Sequence, residues 1–196
     1  MLLELSLRPA IVLLLVSALL VAGCDKQSPQ TEQANAAAPA NASDVGLAAE
    51  AGVLDESHKG EAIPAVQVID PTGKKVALAS LTGKPLLLNL WATWCAPCVK
   101  EMPTLDALAA REGDKLRILT VSQDLDGDAK VKPFFAAHGF KQLQPWLDPD
   151  VALSTGFGAN LPTTILYDSA GKEVWRFSGA LDWTGDRARG LIAKAG

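Results

Sequence analysis

With 196 residues, 48% of them hydrophobic, and a formal net charge of −4, the chain has the length for one packed domain of ordinary size plus a further segment. No run of lysines and arginines interrupts the mildly acidic balance, so a nucleic-acid backbone is not expected among its partners. Three cysteines and two histidines (Cys24, Cys95, Cys98, His58 and His138) leave little from which to assemble a metal centre.

Residues 1–23 set Arg8 ahead of an apolar run from Ile11 to Val21, the length of a signal-peptide core and short for a membrane-spanning helix. This leader reads as separate from the fold. It ends in Val21-Ala22-Gly23-Cys24, which resembles a bacterial lipobox. The resemblance implies cleavage before Cys24 and its acylation, which would hold the chain to a lipid bilayer and account for the odd cysteine. Asp25 is similar to the residue that retains enteric lipoproteins in the inner membrane. An ordinary secretory signal with a free Cys24 is the alternative. From Asp25 to Lys59 the chain is rich in Ala, Gln, Asn, Ser and Pro and has no aromatic residue, too little apolar area to offset ordering entropy. Residues 24–59 therefore read as a lipidated cysteine and flexible tether, whose roughly 35 residues reach on the order of 30 Å. His58 within it reads as a solvated bystander, and the folded domain is expected over 60–196.

Ala65–Ile69 and Lys75–Leu78 flank the turn residues Asp70-Pro71-Thr72-Gly73 and predict a hairpin. Pro85–Trp91 is a nearly continuous apolar run, a strand buried on both faces, and Val99–Arg111 has helical spacing. Leu116–Ser122 is a second buried strand, and the strand-helix-strand order implies that the two are parallel. Asp128–His138 predicts a helix closed by Gly139, with Pro133 forcing a kink or a late start and His138 in the last turn as a surface residue. Pro145–Asp148 reads as a short extended piece and Val151–Phe157 as a short helix. Leu161–Asp168, with Pro162 near its start, turns through Ser169–Lys172 into Glu173–Phe177 as an antiparallel hairpin. Thr184–Ala195 closes the chain as an amphipathic helix.

The chemistry-bearing stretch is Cys95-Ala96-Pro97-Cys98, where a buried strand feeds a helix. Two thiols stand one turn apart there. Free N–H groups and the positive end of the helix dipole favour a thiolate, so Cys95 is expected to have a depressed pKa. Cys98, a turn further in, is expected to be the more buried. That asymmetry assigns attack on a partner disulfide to the outer sulfur and resolution of the mixed disulfide to the inner one. A zinc site would need a second ligand pair that the chain lacks, and haem attachment would need histidine where Val99 stands. A structural disulfide stays open, although so short a loop removes little unfolded-chain entropy.

Trp91-Ala92-Thr93-Trp94-Cys95-Ala96-Pro97-Cys98, followed by Lys100-Glu101-Met102-Pro103, resembles the thioredoxin superfamily and within it the TlpA/ResA/CcmG-like membrane-tethered thiol-disulfide oxidoreductases. The likeness runs over about residues 60–196. It implies an α/β thioredoxin-like fold, a central mixed sheet flanked by helices with an added N-terminal hairpin. It implies a redox disulfide between Cys95 and Cys98, with Trp94, Pro97, Leu161 and Pro162 meeting the substrate and neither cofactor nor metal. Pro162 would be cis and would leave the Leu161 backbone open to an extended peptide; strand physics alone divides cis and trans evenly. The implied setting is the periplasmic face of a bacterial membrane, the inner one if Asp25 is read as above, with the protein a monomer. Its partners would be client disulfides, such as those of apocytochrome c or copper-site assembly proteins, and a DsbD/CcdA-like membrane thiol reductant. Archetypal thioredoxins carry a buried aspartate six residues before the first cysteine, where this chain has Asn89. Asparagine cannot ionise. Acid/base service to Cys98 then falls to Glu101, three residues further along the same side of the helix; a surface glutamate paired with Lys or Arg is the other reading. Electron flow is open at this stage, because oxidising disulfide donors use the same scaffold. A copper(I)-delivery lipoprotein using the two sulfurs is a further alternative, with Met102 the only close thioether.

Overall fold

The computed structural model describes residues 52–195; the leader, Cys24 and the tether up to residue 51 lie outside the described residues. In chain order the elements are β1 (Val53–Asp55), β2 (Gln67–Ile69), β3 (Lys75–Ala77), β4 (Leu86–Trp91), α1 (Ala96–Glu112), β5 (Arg117–Ser122), α2 (Asp128–His138), β6 (Trp146–Leu147), α3 (Ala152–Phe157), β7 (Thr163–Tyr167), β8 (Glu173–Ser178) and α4 (Asp186–Ile192). The strands join in one mixed sheet, ordered β1-β8-β7-β4-β5-β6-β2-β3. This is the thioredoxin-like arrangement, extended at both edges.

β4 is the axis. All six of its residues are buried, as its unbroken apolar run requires of a strand covered on both faces. It runs parallel to β5, with Leu86 opposite Arg117 through Trp91 opposite Ser122, and antiparallel to β7, with Leu90 opposite Thr163. Side chains alternate along it. Leu87 and Trp91 enter one core with Cys98, Met102 and Leu105 of α1, Trp175, Trp183 and Leu191. Leu86, Leu88 and Leu90 enter the other with Val121, Ile165, Tyr167 and Leu153. The same alternation turns Asn89 towards α1.

α1 begins at Ala96, earlier than the apolar spacing from Val99 suggests, because Cys95 is its N-cap, with extended backbone at φ −87° and ψ 94°. Pro97 falls within the first turn, where a missing N–H removes no helical hydrogen bond. α2 shows no late start at Pro133. It opens at Asp128 and carries Pro133 on its exposed side, where the carbonyl left without an N–H partner meets water. Gly139, at φ 63°, ends it in the left-handed conformation and donates its N–H to Phe135 O.

The β2–β3 hairpin is tied by Asp70, whose Oδ1 accepts from Thr72 N, Thr72 Oγ1 and Lys74 N, and it joins the sheet through β6. At the opposite edge β1 pairs with β8, Leu54 facing Phe177. β1 lies inside the stretch expected to be tether, so the boundary at residue 60 needs correction. Three residues carry no readable period, and the edge of β8 supplies the backbone partners that hold them. His58, just beyond, is partly exposed and bonds Glu61 Oε1 at 3.0 Å through Nδ1.

Candidate active site

Cys95 and Cys98 form a disulfide at the junction of β4 and α1. Cys98 is fully buried, and Cys95, expected to be the exposed sulfur, is only 5% exposed. The order agrees with expectation, but the contrast is slight in the oxidised form. Cys95 Sγ accepts from Cys98 N at 3.4 Å, and no acidic residue occupies the first turn of α1, so a thiolate at Cys95 would meet N–H donors and the helix dipole with no carboxylate on that turn.

Glu101 is buried, at 3% exposure, which removes the surface reading of it. Its spacing from Cys98 carries it to the sheet side of α1, where β4 presents Asn89. Asn89 Nδ2 donates to Glu101 Oε1 at 2.8 Å and to Thr164 Oγ1 of β7 at 2.9 Å. Glu101 Oε2 accepts from Leu181 N at 3.0 Å and Trp183 Nε1 at 3.3 Å. Burial nevertheless dominates and pushes the carboxyl up from 4.5 to about 7, against the opposing donations of Leu181, Asn89 and Trp183. Thr164, Leu181 and Trp183 were not predicted to belong to the site. No local motif marks them, since Thr164 meets Asn89 from 75 residues along the chain and Leu181 and Trp183 reach Glu101 from 80 and 82.

The segment leading to Cys95 is held by a second carboxylate that the sequence reading missed. Asp124, 4% exposed, accepts from Thr93 N at 2.9 Å, Thr93 Oγ1 at 2.6 Å and Ser122 Oγ at 2.7 Å. Trp94 is 70% exposed and Pro97 is exposed, both beside the disulfide. The register of β4 with β7 carries Leu161 and Pro162 alongside the end of β4, across from the cysteines. The Leu161–Pro162 peptide is cis, and the Leu161 backbone makes no hydrogen bond among the described residues. Also among the described residues, no group of three or more His, Cys, Asp or Glu side chains is placed to hold a metal ion.

The Redoxin family matches residues 58–191, well over half of the chain. The chain belongs to the Redoxin family. Within it, the thiol-disulfide oxidoreductase ResA of Bacillus anthracis is 34% identical over 137 residues, 69% of this chain and 77% of that one. The thiol:disulfide interchange protein HelX of Rhodobacter capsulatus is 32% identical over 126 residues, 62% of this chain and 69% of HelX. Among solved structures, a Chlorobium tepidum protein described as a thiol:disulfide interchange protein DsbE superposes with a TM-score of 0.61 at 26% identity, covering 70% of this chain and 98% of that one. The exposed lipoprotein thioredoxin Etrx1 of Streptococcus pneumoniae superposes with a TM-score of 0.55 at 26% identity, covering 66% and 96%. This Redoxin-family chain is a thioredoxin-superfamily protein of the ResA/CcmG-like kind and a thiol-disulfide oxidoreductase.

Proposed function

We propose that the chain is a lipid-anchored reductase of the bacterial envelope that delivers two electrons at a time to disulfides of client proteins. Its similarity to the oxidoreductase ResA and the interchange protein HelX supports thiol-disulfide exchange. The reductive direction, with apocytochrome c or copper-site assembly proteins as the client class, is carried over from the TlpA/ResA/CcmG-like resemblance of the cysteine segment. In the reduced form Cys95 thiolate attacks a client disulfide, one client sulfur leaves as thiolate, and a mixed disulfide joins Cys95 to the other. The client strand lies along the unpaired Leu161 backbone beside Trp94 and Pro97. Cys98 then gives up its proton and its thiolate attacks Cys95 Sγ, which releases the second client thiolate and regenerates the disulfide seen here. A membrane dithiol of the DsbD/CcdA kind returns the two electrons. The protein acts as a monomer on the periplasmic face, held by acylated Cys24.

The observation that carries this reading is the buried Glu101–Asn89 pair on the sheet side of α1, one helical turn from Cys98. A carboxyl that changes protonation near neutral pH can take the Cys98 proton during resolution and return it later, a service that Asn89 cannot perform. Stopped-flow reduction of a model protein disulfide across pH tests it. Glu101→Gln should slow resolution of the mixed disulfide by about ten- to a hundredfold and flatten the limb near pH 7. Asn89→Asp, which puts an ionisable group at the archetypal position, should restore part of the rate in the Glu101→Gln background. Superimposable wild-type and Glu101→Gln profiles would remove Glu101 from the mechanism.

A further inference from the structure

Among the described residues three large apolar side chains stand mostly in water: Val53, Trp94 and Leu125. Val53 is on the edge strand β1. The other two lie just past the ends of β4 and β5, next to Cys95 on the one chain, and the backbone shows how the two ends are joined. The last paired residues of β4 and β5 are Trp91 and Ser122, but the two chains continue side by side. Gln123 N donates to Trp91 O at 2.8 Å, and the Asp124 carboxylate then holds Thr93 through both its N–H and its hydroxyl. The next residue on each chain is Trp94, 70% exposed, and Leu125, 74% exposed.

A single exposed leucine is ordinary on a protein surface. Here a buried carboxylate clasps the segment that bears it to the segment that bears the nucleophile. The Leu125 loop is further tied by Gly127 N to Asp124 O at 3.0 Å, so the exposed leucine sits in a hydrogen-bonded turn one residue beyond the clasp, as Trp94 does on the other segment. Beside it Asp126 is exposed and makes no ion pair among the described residues, whereas Asp128 is paired with Lys132 at 2.6 Å. The loop thus presents an apolar contact with an uncompensated negative charge at its side.

We propose that Trp94 and Leu125 form one client-docking platform, with Leu125 the residue that sets specificity, and that its occupant is an extended client segment presenting an aliphatic or aromatic side chain next to a lysine or arginine. The platform adjoins Cys95, so at about 3.3 Å per extended residue the recognised side chain lies within roughly three residues of the target cysteine. The inference rests on the reading of Cys95 and Cys98 as the place of exchange with client proteins, and it names which clients bind well.

The test uses the reduced protein and one-disulfide synthetic peptides that differ only in the two residues after the first cysteine: Leu-Lys, Leu-Glu or Ser-Lys. Wild type should show the lowest KM for Leu-Lys. Leu125→Ser should raise that KM about five- to tenfold with kcat within about twofold, so that the preference for Leu-Lys over Ser-Lys collapses, and Leu125→Met should retain the preference. Asp126→Lys should move the preference from Leu-Lys towards Leu-Glu, an effect that weakens as salt rises. Val53→Ser, equally exposed and remote in the sheet, is the control. Equal KM values for the three peptides in wild type, or the same loss of preference in Val53→Ser, would overturn the platform while leaving the exchange chemistry in place. Failure of the wild-type protein to reduce dithiobis(nitrobenzoate) as well as every peptide would instead overturn the exchange reading, and the platform with it.

Discussion

Glu101 shows how one side chain is set by its surroundings. Its carboxyl is pushed up to about 7 by burial, so between pH 4.5 and 7 the folded protein holds a proton that the unfolded chain has released. The sign follows. Its contribution to stability is fully present below pH 4.5 and is lost as pH rises through 7. Urea denaturation of the oxidised protein should therefore show wild type losing roughly 2 to 3 kcal/mol relative to Glu101→Gln between pH 5 and pH 8. Glutamine is tolerated there because its Oε1 can keep the donations of Leu181 and Trp183. Its Nε2 would face Asn89, whose Oδ1 is buried without a partner and can turn to accept. Equal pH dependence in the two proteins would show that Glu101 titrates normally. The helical spacing from Cys98, together with the likeness that puts Asn89 where archetypal thioredoxins carry an aspartate, picked out this residue from sequence. Its burial was not readable, because the donors that enclose it come from about 80 residues further on.

At the scale of elements, α1 is fastened to the loop after α2 by Asp106. Burial pushes its carboxyl up, but donations from Leu143, Gln142 and Lys141 outweigh this and hold it below the usual carboxylate range. Three backbone N–H groups of a loop depend on one side chain. Asp106→Ala should cost about 1 to 2 kcal/mol and speed amide hydrogen exchange at residues 141–143, while Asp106→Asn should cost less because one oxygen still accepts. Unchanged exchange there would mean that solvent replaces the carboxylate freely. The tie has no sequence signature, since an Asp on a half-exposed helix face ordinarily bonds water. The element types themselves were legible where hydrophobic period was strong, as in β4, β5 and α1. The misjudged stretches lay elsewhere: β1 falls in the expected tether, and the closing helix, expected over Thr184–Ala195, is α-helical only over Asp186–Ile192, whereas α2 spans Asp128–His138 as expected with Pro133 inside it.

At the scale of the molecule, the sheet reaches further towards the N-terminus than composition suggests. β1 is held by β8, by the Arg187 guanidinium donating to Gly52 O at 3.0 Å, and by Lys194 meeting Glu56 Oε1 at 2.6 Å. A chain truncated before residue 60 should lose about 1 to 3 kcal/mol in urea relative to one beginning at residue 52, since it gives up three strand residues and the cover over Phe177. Equal midpoints would return the boundary to residue 60. The anchor is a separate prediction, because Cys24 lies outside the described residues. Cys24→Ser should move the protein from the membrane to the soluble envelope fraction, and an unchanged membrane fraction would count against lipidation.

By itself the sequence determined the order of strands and helices from β2 to α4, the place of Cys95 and Cys98 at a strand-to-helix junction, and that Glu101 rather than Asn89 can ionise. These depend on local period and on which side chains can carry a proton. Tertiary structure alone decided that Glu101 is enclosed by Asn89, Leu181 and Trp183, that Thr164 holds Asn89 in turn, and that Asp124 clasps Thr93, with Leu125 and Trp94 the next residues on the two joined segments. Each of these needs strands distant in sequence to lie side by side, and sheet order is set by the burial of whole faces, which no local stretch of residues encodes.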